Sequence, residues 1–484
     1  MIELTISLLT VAVFWAIAEW RLVMLLCIAT AILQDPLRKL VPNQPVIFVA
    51  LVGAVFAAGW IGAWARGVPL GPNIILRRYR QFVMPFSALT LLIIVQACNS
   101  YLHFENPMIT GLGLLTYVLP LVAIVFAYQL ISRQGEYCIK QFMKWYIVFI
   151  SLALTTVYLE TVYDWSVLHQ VGQNLILYDK EMGAMNSFSG IFRSSEIAGW
   201  HAVTAACFVL LLAFSGRINP TRLLAAVIVV ALLIGLGILT GRRKIIVEFV
   251  VFVSTYFILW ITFEKGSGKL IVIPLTVAAM VVYASLAAGL QEGDPLRVSK
   301  ESMYSRYLAR SEGVFQDVPK RVVELGIAPV MWAYDNFGLF GAGLGVGTQG
   351  TQHFRGGAED IGGGVSAAEG GLGKITLELG LPGLFVSGWL ALLFFQQLWR
   401  TMRVASRQSP RIGRLSSGIF SFLVANVAAF SVATQAYGDL FILLILSWML
   451  GFLLAVPVLV ERGVRARQLA TFEASAPAFR PKTV

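Results

Sequence analysis

Residues 222–262 read RLLAAVIVVALLIGLGILTGRRKIIVEFVVFVSTYFILWIT, two apolar runs joined by a short turn that holds three adjacent cations. Each run has about the ~20 residues that a helix needs to cross a bilayer. Both runs are continuously apolar rather than alternating, which excludes a membrane β-barrel. The stretch therefore predicts two membrane-spanning helices with Arg242, Arg243 and Lys244 between them.

Similar apolar segments occur along the whole chain of 484 residues, which is 57% hydrophobic and only 13% charged. Soluble proteins carry roughly 25% charged residues, so a soluble enzyme, a disordered protein and a disulfide scaffold are excluded. The sequence predicts an all-α polytopic membrane protein with 12 or 13 transmembrane helices, the first two of which could form one long tilted helix. The other apolar segments are 3–18, 21–33, 46–64, 82–98, 109–130, 145–159, 197–214, 270–290, 375–398, 416–433 and 440–460.

The net charge of +11 is explained first by membrane orientation, because Lys and Arg accumulate in cytoplasmic loops. We therefore predict no nucleic-acid partner. The four cysteines form no C-x-x-C pair and are interpreted as buried thiols. The cations concentrate in the loops 65–81, 131–144, 215–222 and 399–415 and in the tail from 461, all of which the predicted topology places in the cytoplasm.

On the other side of the membrane, two connections are long, 160–196 and 291–374. Such long polar insertions are usually functional or disordered. Apolar and aromatic residues within the second one favour a folded loop, with an amphipathic helix over 301–326 and an irregular Gly-rich stretch over 341–364. The predicted organisation is thus ten helices within 1–290, the large loop 291–374, the C-terminal helices 375–460 and a basic cytoplasmic tail 461–484.

The cations Arg242, Arg243 and Lys244 break the orientation rule, since the topology places their turn outside. Three adjacent cations repel one another, and one explanation is that acids of the long outer loop pair with them. The other is an anion site at the membrane surface, because Arg binds phosphate through two parallel, permanently charged hydrogen bonds. We favour the anion site, since inverting the topology would move all the basic loops outside.

Further candidate residues lie in the two long outer loops. Arg193 directly precedes the span at 197, and Arg306 and Arg310 share a helical face if their segment is helical. Each alone is typical of a solvated loop residue, whereas together with the turn they suit a diphosphate. Glu369 is a candidate general base at the rim of the membrane. Glu378 is explained equally well as a carboxylate near the start of a helix.

Several familiar motifs are absent or lack their structural context. Residues 345–350 match G-x-G-x-x-G, but no predicted strand precedes them, so a dinucleotide site is rejected. The chain has no Walker A sequence and no H-E-x-x-H, and its four histidines are scattered. We therefore predict no cofactor and no metal site.

Three local patterns resemble the O-antigen ligase and polymerase superfamily of bacterial inner-membrane glycosyltransferases. They are FSGIFRSSEIAGWHA at 188–202, LTGRRKIIVEF at 239–249, and NFGLFGAGLGVG at 336–347 followed by EGGLGKITLELGLPGL at 369–384. The resemblance covers roughly residues 185–400. One departure matters, because Glu369 stands where the family has a His that is thought to assist the acceptor hydroxyl.

The resemblance implies an inverting, metal-independent GT-C-like glycosyltransferase that works at the periplasmic face of the inner membrane, with the loops 160–196 and 291–374 in the periplasm. Its donor would be an oligosaccharide on undecaprenyl diphosphate, drawn from the membrane lipids. Glu369 would accept the proton of the acceptor hydroxyl. Arg193, Arg242, Arg243, Lys244, Arg306 and Arg310 would bind the diphosphate.

The departure at Glu369 favours a polymerase of a surface or extracellular polysaccharide, with a chain-length regulator or export protein as a conceivable partner. A ligase that transfers the glycan to a lipid or protein is the first alternative. A lipid-linked glycan transporter is the second. The lack of an internal repeat and the small number of charges in the apolar segments weaken that second alternative.

Overall fold

The computed structural model describes residues 2–41, 46–165, 167–169, 171, 176–179, 183–216, 219–242, 244–263, 320–348 and 370–475. Apart from one short antiparallel hairpin, β1 (Ile176–Asp179) with β2 (Gly183–Asn186), the longer elements of these ranges are helices. They are α1 (Ile2–Ala18), α2 (Val23–Leu40), α3 (Leu51–Ala65), α4 (Asn73–Arg78), α5 (Val83–Phe104), α6 (Pro107–Gln134), α7 (Glu136–Val162), α8 (Ser195–Ser215), α9 (Pro220–Leu239), α10 (Lys244–Phe263), α11 (Ala328–Phe337), α12 (Gly371–Gln408), α13 (Pro410–Val432) and α14 (Leu440–Ser475).

Eleven helices of the described residues are long and apolar enough to cross a membrane, so the chain is a multi-pass membrane protein. The apolar segments of the sequence fall on these helices and on the shorter α1, except for 270–290, which lies outside the described residues. The first two segments are separate helices, because the backbone at Glu19 is not helical (φ −135°, ψ 71°). Arg66 holds the end of α1 by donating to the Ile17 carbonyl at 2.7 Å.

Contacts between distant residues show which helix ends lie together. At one end, Arg78 pairs with Glu461, and Arg411 lies 3.5 Å from Glu136. The helix ends next to the basic loops lie on this side, which we call the basic end. The starts of α8, α10, α12 and α14 lie on the other side, which we call the opposite end. The basic loops of the sequence thus connect helix ends that lie on one side of the bundle.

Helices α8 and α14 form the centre of the bundle, with 78% and 72% of their apolar windows buried. Aromatic side chains fill the space between them, since Phe208 and Trp448 each pack on the ring of Phe142. Gly418 of α13 allows close packing on α8, because a Cβ there would lie 1.8 Å from Leu211. The start of α8 is consequently surrounded by other helices.

Several predicted boundaries are corrected by the structure. Helix α12 begins at Gly371 rather than 375, and α14 continues to Ser475, so the predicted basic tail starts as a helix. Of the predicted amphipathic helix over 301–326, residues 301–319 lie outside the described residues, and 320–326 are helical, with a π-helical turn (Val322–Ile327) that leads into α11. The helices also contain more buried charge than the apolar segments predicted, with Asp35, Glu196, Glu248 and Glu378 all less than a tenth exposed.

The Gly-rich stretch from 341 to 348 is irregular as predicted, and it lies buried among α5, α6 and α12. Gly341, Gly343 and Gly345 have φ of +73°, +108° and +86°, which L-residues rarely adopt. A Cβ on Gly345 would also lie 2.1 Å from the Ile109 carbonyl oxygen. The glycines of this stretch therefore allow its backbone to pack closely against the neighbouring helices. Non-helical backbone in a membrane protein is tolerated only where protein or water satisfies it, as the Ser100 hydroxyl does here by donating to Leu344 O at 2.7 Å.

We predict that Gly345→Ala lowers the thermal stability of the detergent-purified protein, with a strain cost of about 1–3 kcal/mol from the positive φ alone. Gly388→Ala is the matched control, because a Cβ at this position of α12 meets nothing within 4 Å. Thermal unfolding followed by fluorescence should show a lower Tm for the first variant only. Equal Tm values for the two variants would contradict this packing.

The sidedness of the two ends can be tested with single cysteines at exposed positions. Asp164 at the opposite end and Arg411 at the basic end have side chains that are 94% and 64% exposed. Cys98 is exposed, contrary to the interpretation of the cysteines as buried thiols, so it is first replaced by Ala. In this background, a membrane-impermeant maleimide should label Asp164→Cys in intact cells and Arg411→Cys only after lysis. The reverse pattern would invert the topology derived from the basic loops.

Candidate functional site

Helix α8 begins at the opposite end with the residues Ser194, Ser195 and Glu196. Ser194 caps the helix, because its extended backbone lets its Oγ accept a hydrogen bond from the Ile197 N–H at 3.4 Å. Glu196 lies in the first turn, where the helix dipole stabilises a carboxylate, and it is 8% exposed. A buried carboxylate is thus held near the centre of this end.

The chain that enters α8 is held in place by half-buried polar side chains. Glu160 at the end of α7 accepts hydrogen bonds at 2.6 Å from the N–H groups of Ser189 and Gly190. Gly190 has φ +59°, and a Cβ there would lie 2.4 Å from the Thr156 hydroxyl. Lys39 donates to the Gly190 carbonyl at 2.7 Å. These bonds fix the position from which α8 starts.

The turn between α9 and α10 rests directly on α8. Gly241 has φ +70°, which allows the chain to reverse sharply after Thr240. Gly199 of α8 provides the space, since a Cβ there would lie 2.9 Å from Ile245 and 3.0 Å from the Thr240 hydroxyl. The turn therefore brings Arg242 to the start of α8.

Glu196 is shared by two of the predicted diphosphate ligands. Its Oε1 lies 3.0 Å from Arg242 Nη1 and 3.1 Å from Lys244 Nζ. Arg242 Nε also donates to the Ser195 hydroxyl at 2.9 Å, and Lys244 donates to Gln435 Oε1 at 2.9 Å. Arg242 Nη2 is buried without a hydrogen-bond partner in the part of the chain that the structure describes. One carboxylate therefore faces two cations, and one guanidinium NH2 group has no partner among the described residues.

Arg193, another predicted ligand, lies between two buried carboxylates. Its Nη1 is 2.8 Å from Asp439 and 4.0 Å from Asp35, and its backbone N–H donates to Asp35 at 3.0 Å. Asp439 also accepts hydrogen bonds from the N–H groups of Phe441 and Ile442 at the start of α14. Arg193 thus joins α2, the entry to α8 and the start of α14.

The connection between α13 and α14, residues 433–439, contacts several of the predicted site segments. Lys244 binds its Gln435, and Arg193 binds its Asp439. The start of α12 packs just before it, since a Cβ on Gly370 would lie 3.0 Å from the Ser431 carbonyl oxygen. The connection itself is anchored by Tyr437, whose hydroxyl donates to the Asn426 carbonyl at 3.0 Å. Burial raises the pKa of Tyr437 well above its usual range, so this donor stays protonated.

Glu378 of α12, the second candidate carboxylate of the sequence, is fully buried and bonded by three groups. Its Oε1 accepts from the Gly347 N–H at 3.0 Å and from the Thr348 hydroxyl at 2.8 Å, and its Oε2 accepts from the Tyr117 hydroxyl at 2.8 Å. The helix breaks shortly afterwards at Gly380 (φ +71°). Glu378 therefore holds the Gly-rich stretch against α6 and α12.

The remaining predicted site residues, Glu369, Arg243, Arg306 and Arg310, lie outside the described residues. Glu369 directly precedes Gly370, which packs between the Leu325 and Ser431 carbonyl oxygens. Among the described residues, no group of three His, Cys, Asp or Glu side chains is arranged to hold a metal ion.

The sequence reasoning found the cations of this site but not their partners. Glu196 stood next to Arg193 within a quoted motif, and its position in a first helical turn was a usable signal. Asp35, Gln435 and Asp439 lie at the ends of apolar segments far away in the chain. Neither periodicity nor spacing in one sequence indicates that such residues meet.

No protein-family model matches the chain, and no curated protein matches it either. The residues at the opposite end of the bundle therefore carry the functional inference.

We predict that Glu196→Gln lowers the Tm of the purified protein, because two buried cations lose their shared counter-charge. Removing one partner of a buried ion pair costs about 3–5 kcal/mol, and the side chains concerned are only 10–24% exposed. The double variant Glu196→Gln with Arg242→Gln should regain part of the loss, since one uncompensated charge is removed. Additive losses in this double-mutant cycle would show that the two residues are not coupled.

Proposed function

We propose that the protein is a glycosyltransferase that polymerises a bacterial surface or extracellular polysaccharide at the outer face of the inner membrane. Its donor is a glycan on undecaprenyl diphosphate, and its acceptor is a sugar hydroxyl. The transfer is inverting and needs no metal, because cationic side chains stabilise the leaving diphosphate.

One observation carries this proposal. Arg242 and Lys244 lie against Glu196 in the first turn of α8, and Arg193 lies just before that helix, so cations from two separate parts of the sequence lie at the end of the bundle that faces away from the basic loops. Arg242 and Lys244 share a single carboxylate, and the buried Nη2 of Arg242 has no hydrogen-bond partner among the described residues. A positive charge at a membrane surface with hydrogen-bond donors to spare suits an anionic lipid headgroup.

The described contacts support different roles for these cations. Arg242 and Lys244 are assigned to the diphosphate, together with Arg243, Arg306 and Arg310. Arg193 already faces two carboxylates, so we assign it to holding the start of α8 in position. Glu369 is the proposed base, and the residue after it packs beside the connection that binds Lys244. A base and a leaving-group site at one end of the bundle fit a direct displacement.

Two other functions remain as candidates. A ligase would use the same site but transfer finished glycan to a lipid or protein. A lipid-linked glycan transporter is favoured by the break of α12 at Gly380 and by the buried carboxylates of several helices. The glycan profile of a deletion strain separates them: single repeat units on the acceptor indicate a lost polymerase, and free polymer on its carrier indicates a lost ligase. Lipid-linked units confined to the cytoplasmic leaflet indicate a lost transporter.

We predict that Arg242→Ala and Glu369→Gln each abolish glycan elongation when they replace the wild-type protein in its host. The first removes charge from the diphosphate site, and the second removes the base. Arg407→Ala is the control, because this exposed arginine lies at the basic end, in the last turn of α12. Polymer length is measured by gel electrophoresis, and protein level by immunoblot. Long polymer in both site variants at normal protein level would exclude the proposed enzyme.

A further inference from the structure

Glu248 of α10 is a buried carboxylate close to the turn that holds Arg242 and Lys244. It lies one helical turn after Lys244, and only 4% of it is exposed. Its Oε1 is buried without a hydrogen-bond partner in the part of the chain that the structure describes. Lys244 has the spacing to pair with it but is bonded instead to Glu196 and Gln435. An ionised carboxylate is unfavourable in such a place, whereas a protonated carboxyl group is tolerated.

The side chain of Glu248 faces the same turn as the predicted diphosphate ligands. Side chains of a helix lean toward its N-terminus, and α10 begins at Lys244, so Glu248 leans toward the turn. The groups that interact electrostatically with it are Lys244 itself, Cys207 of α8, Tyr146 of α7 and Tyr437 of the α13–α14 connection. A thiol and two phenols are uncharged at neutral pH. Among the described residues, Lys244 is therefore the charge that faces Glu248.

The other helices that pack near α10 carry their charges elsewhere. The charged residues of α9 and α13 lie near the starts of these helices at the basic end, and they are Arg222, Arg411 and Arg414. Helix α12 contacts α10 where the ring of Trp399 packs on Phe263, the last residue of α10. His201 of α8 is titratable, but it is bonded to the Tyr146 hydroxyl at 2.6 Å. The protonation of Glu248 is thus tied most closely to Lys244.

A proton on Glu248 changes the charge that an approaching anion meets. Arg242 and Lys244 carry two positive charges, and Glu196 and ionised Glu248 carry two negative ones, so the four side chains together are neutral. With Glu248 protonated, one positive charge is in excess. Because the surroundings are poorly solvated, a single charge has a large effect on the binding of an anion. Attraction of a phosphate group is therefore strongest when Glu248 is neutral.

We propose that Glu248 is a proton-binding residue of the anion site at Arg242 and Lys244, and that the site takes its diphosphate when Glu248 is protonated. Resting on the proposed function, this assigns the anion to the diphosphate of the lipid-linked donor. The proton comes from water at the opposite end, where the Lys244 side chain is 24% exposed, and it forms an O–H bond on the Glu248 carboxyl group. By linkage, a bound diphosphate favours proton uptake as much as the proton favours the diphosphate. The affinity for the donor therefore falls as the pH rises and Glu248 ionises.

The test compares Glu248→Gln, a neutral group of the same shape, with Glu248→Asp, which keeps a titratable carboxyl group. Glu324→Gln is the control, because this carboxylate is 56% exposed. Inorganic pyrophosphate and a short-chain polyprenyl diphosphate are titrated into the full-length, detergent-purified proteins over a range of pH. Calorimetry in buffers of different protonation enthalpy gives both Kd and the number of protons taken up. The titration of pyrophosphate itself is common to all variants, so the differences between them report on Glu248.

At alkaline pH, we expect Glu248→Gln to bind pyrophosphate about tenfold more tightly than wild type, the effect of one charge near the anion. At acidic pH, the two proteins should bind it equally. Glu248→Gln should also take up fewer protons on binding than wild type. Glu248→Asp and Glu324→Gln should keep the steeper loss of affinity with rising pH that wild type shows.

The same dependence of Kd on pH in Glu248→Gln and in wild type would overturn this role of Glu248. Weaker binding by Glu248→Gln at every pH would assign Glu248 to holding Lys244 in place and overturn it as well. Wild-type protein that binds neither compound would overturn the anion site itself. If Glu248→Gln loses the pH dependence while Arg242→Ala and Glu369→Gln leave glycan elongation intact, the proton-coupled site stands and the proposed glycosyltransferase fails. Lost elongation in those two variants with an unchanged pH dependence in Glu248→Gln would give the opposite result.

Discussion

The carboxylate of Glu196 is the group on which the opposite end of the bundle depends. It lies on the most buried helix and accepts both Arg242 and Lys244, so it binds the α9–α10 turn to α8. Lys244 extends the contact to Gln435 on the α13–α14 connection. Without this carboxylate, the adjacent cations would repel one another in a poorly solvated place, and only the packing of Ile245 and Thr240 on Gly199 would hold the turn on α8.

The polar interactions within the two ends of the bundle differ in their burial. At the opposite end, Asp35, Asp439 and Glu378 are almost fully buried and bind backbone N–H groups as well as side chains. At the basic end, the side chains that pair Arg78 with Glu461 and Arg411 with Glu136 are 24–64% exposed, and such partly exposed pairs contribute little to stability. Precise geometry is therefore concentrated at one end, where the predicted site residues lie.

Much of the fold follows from the sequence, because crossing a bilayer demands long apolar helices. The apolar segments located these helices, and the distribution of cations placed the Arg242 turn at the opposite end. The helices extend beyond the apolar segments where polar residues have buried partners, as Asp35 has in α2. No sequence pattern could have shown these partners, since Asp35, Arg193 and Asp439 are far apart in the chain. Gly345, the first glycine of the G-x-G-x-x-G match, packs against the Ile109 carbonyl, and this contact too joins residues that are far apart in the chain.

The break at Gly380 makes the first part of α12 a short helix whose two ends are held by other segments. Its start fits between the Leu325 and Ser431 carbonyls, and near its end the Leu377 carbonyl accepts the Ala342 N–H at 2.7 Å. The length of this helical segment is therefore fixed by the residues that pack against its two ends. Adding or removing one residue between Gly370 and Gly380 would rotate every side chain on it by about 100°. Insertions during evolution are therefore expected to be excluded from these few residues, even though the membrane helix that follows could accommodate them by tilting.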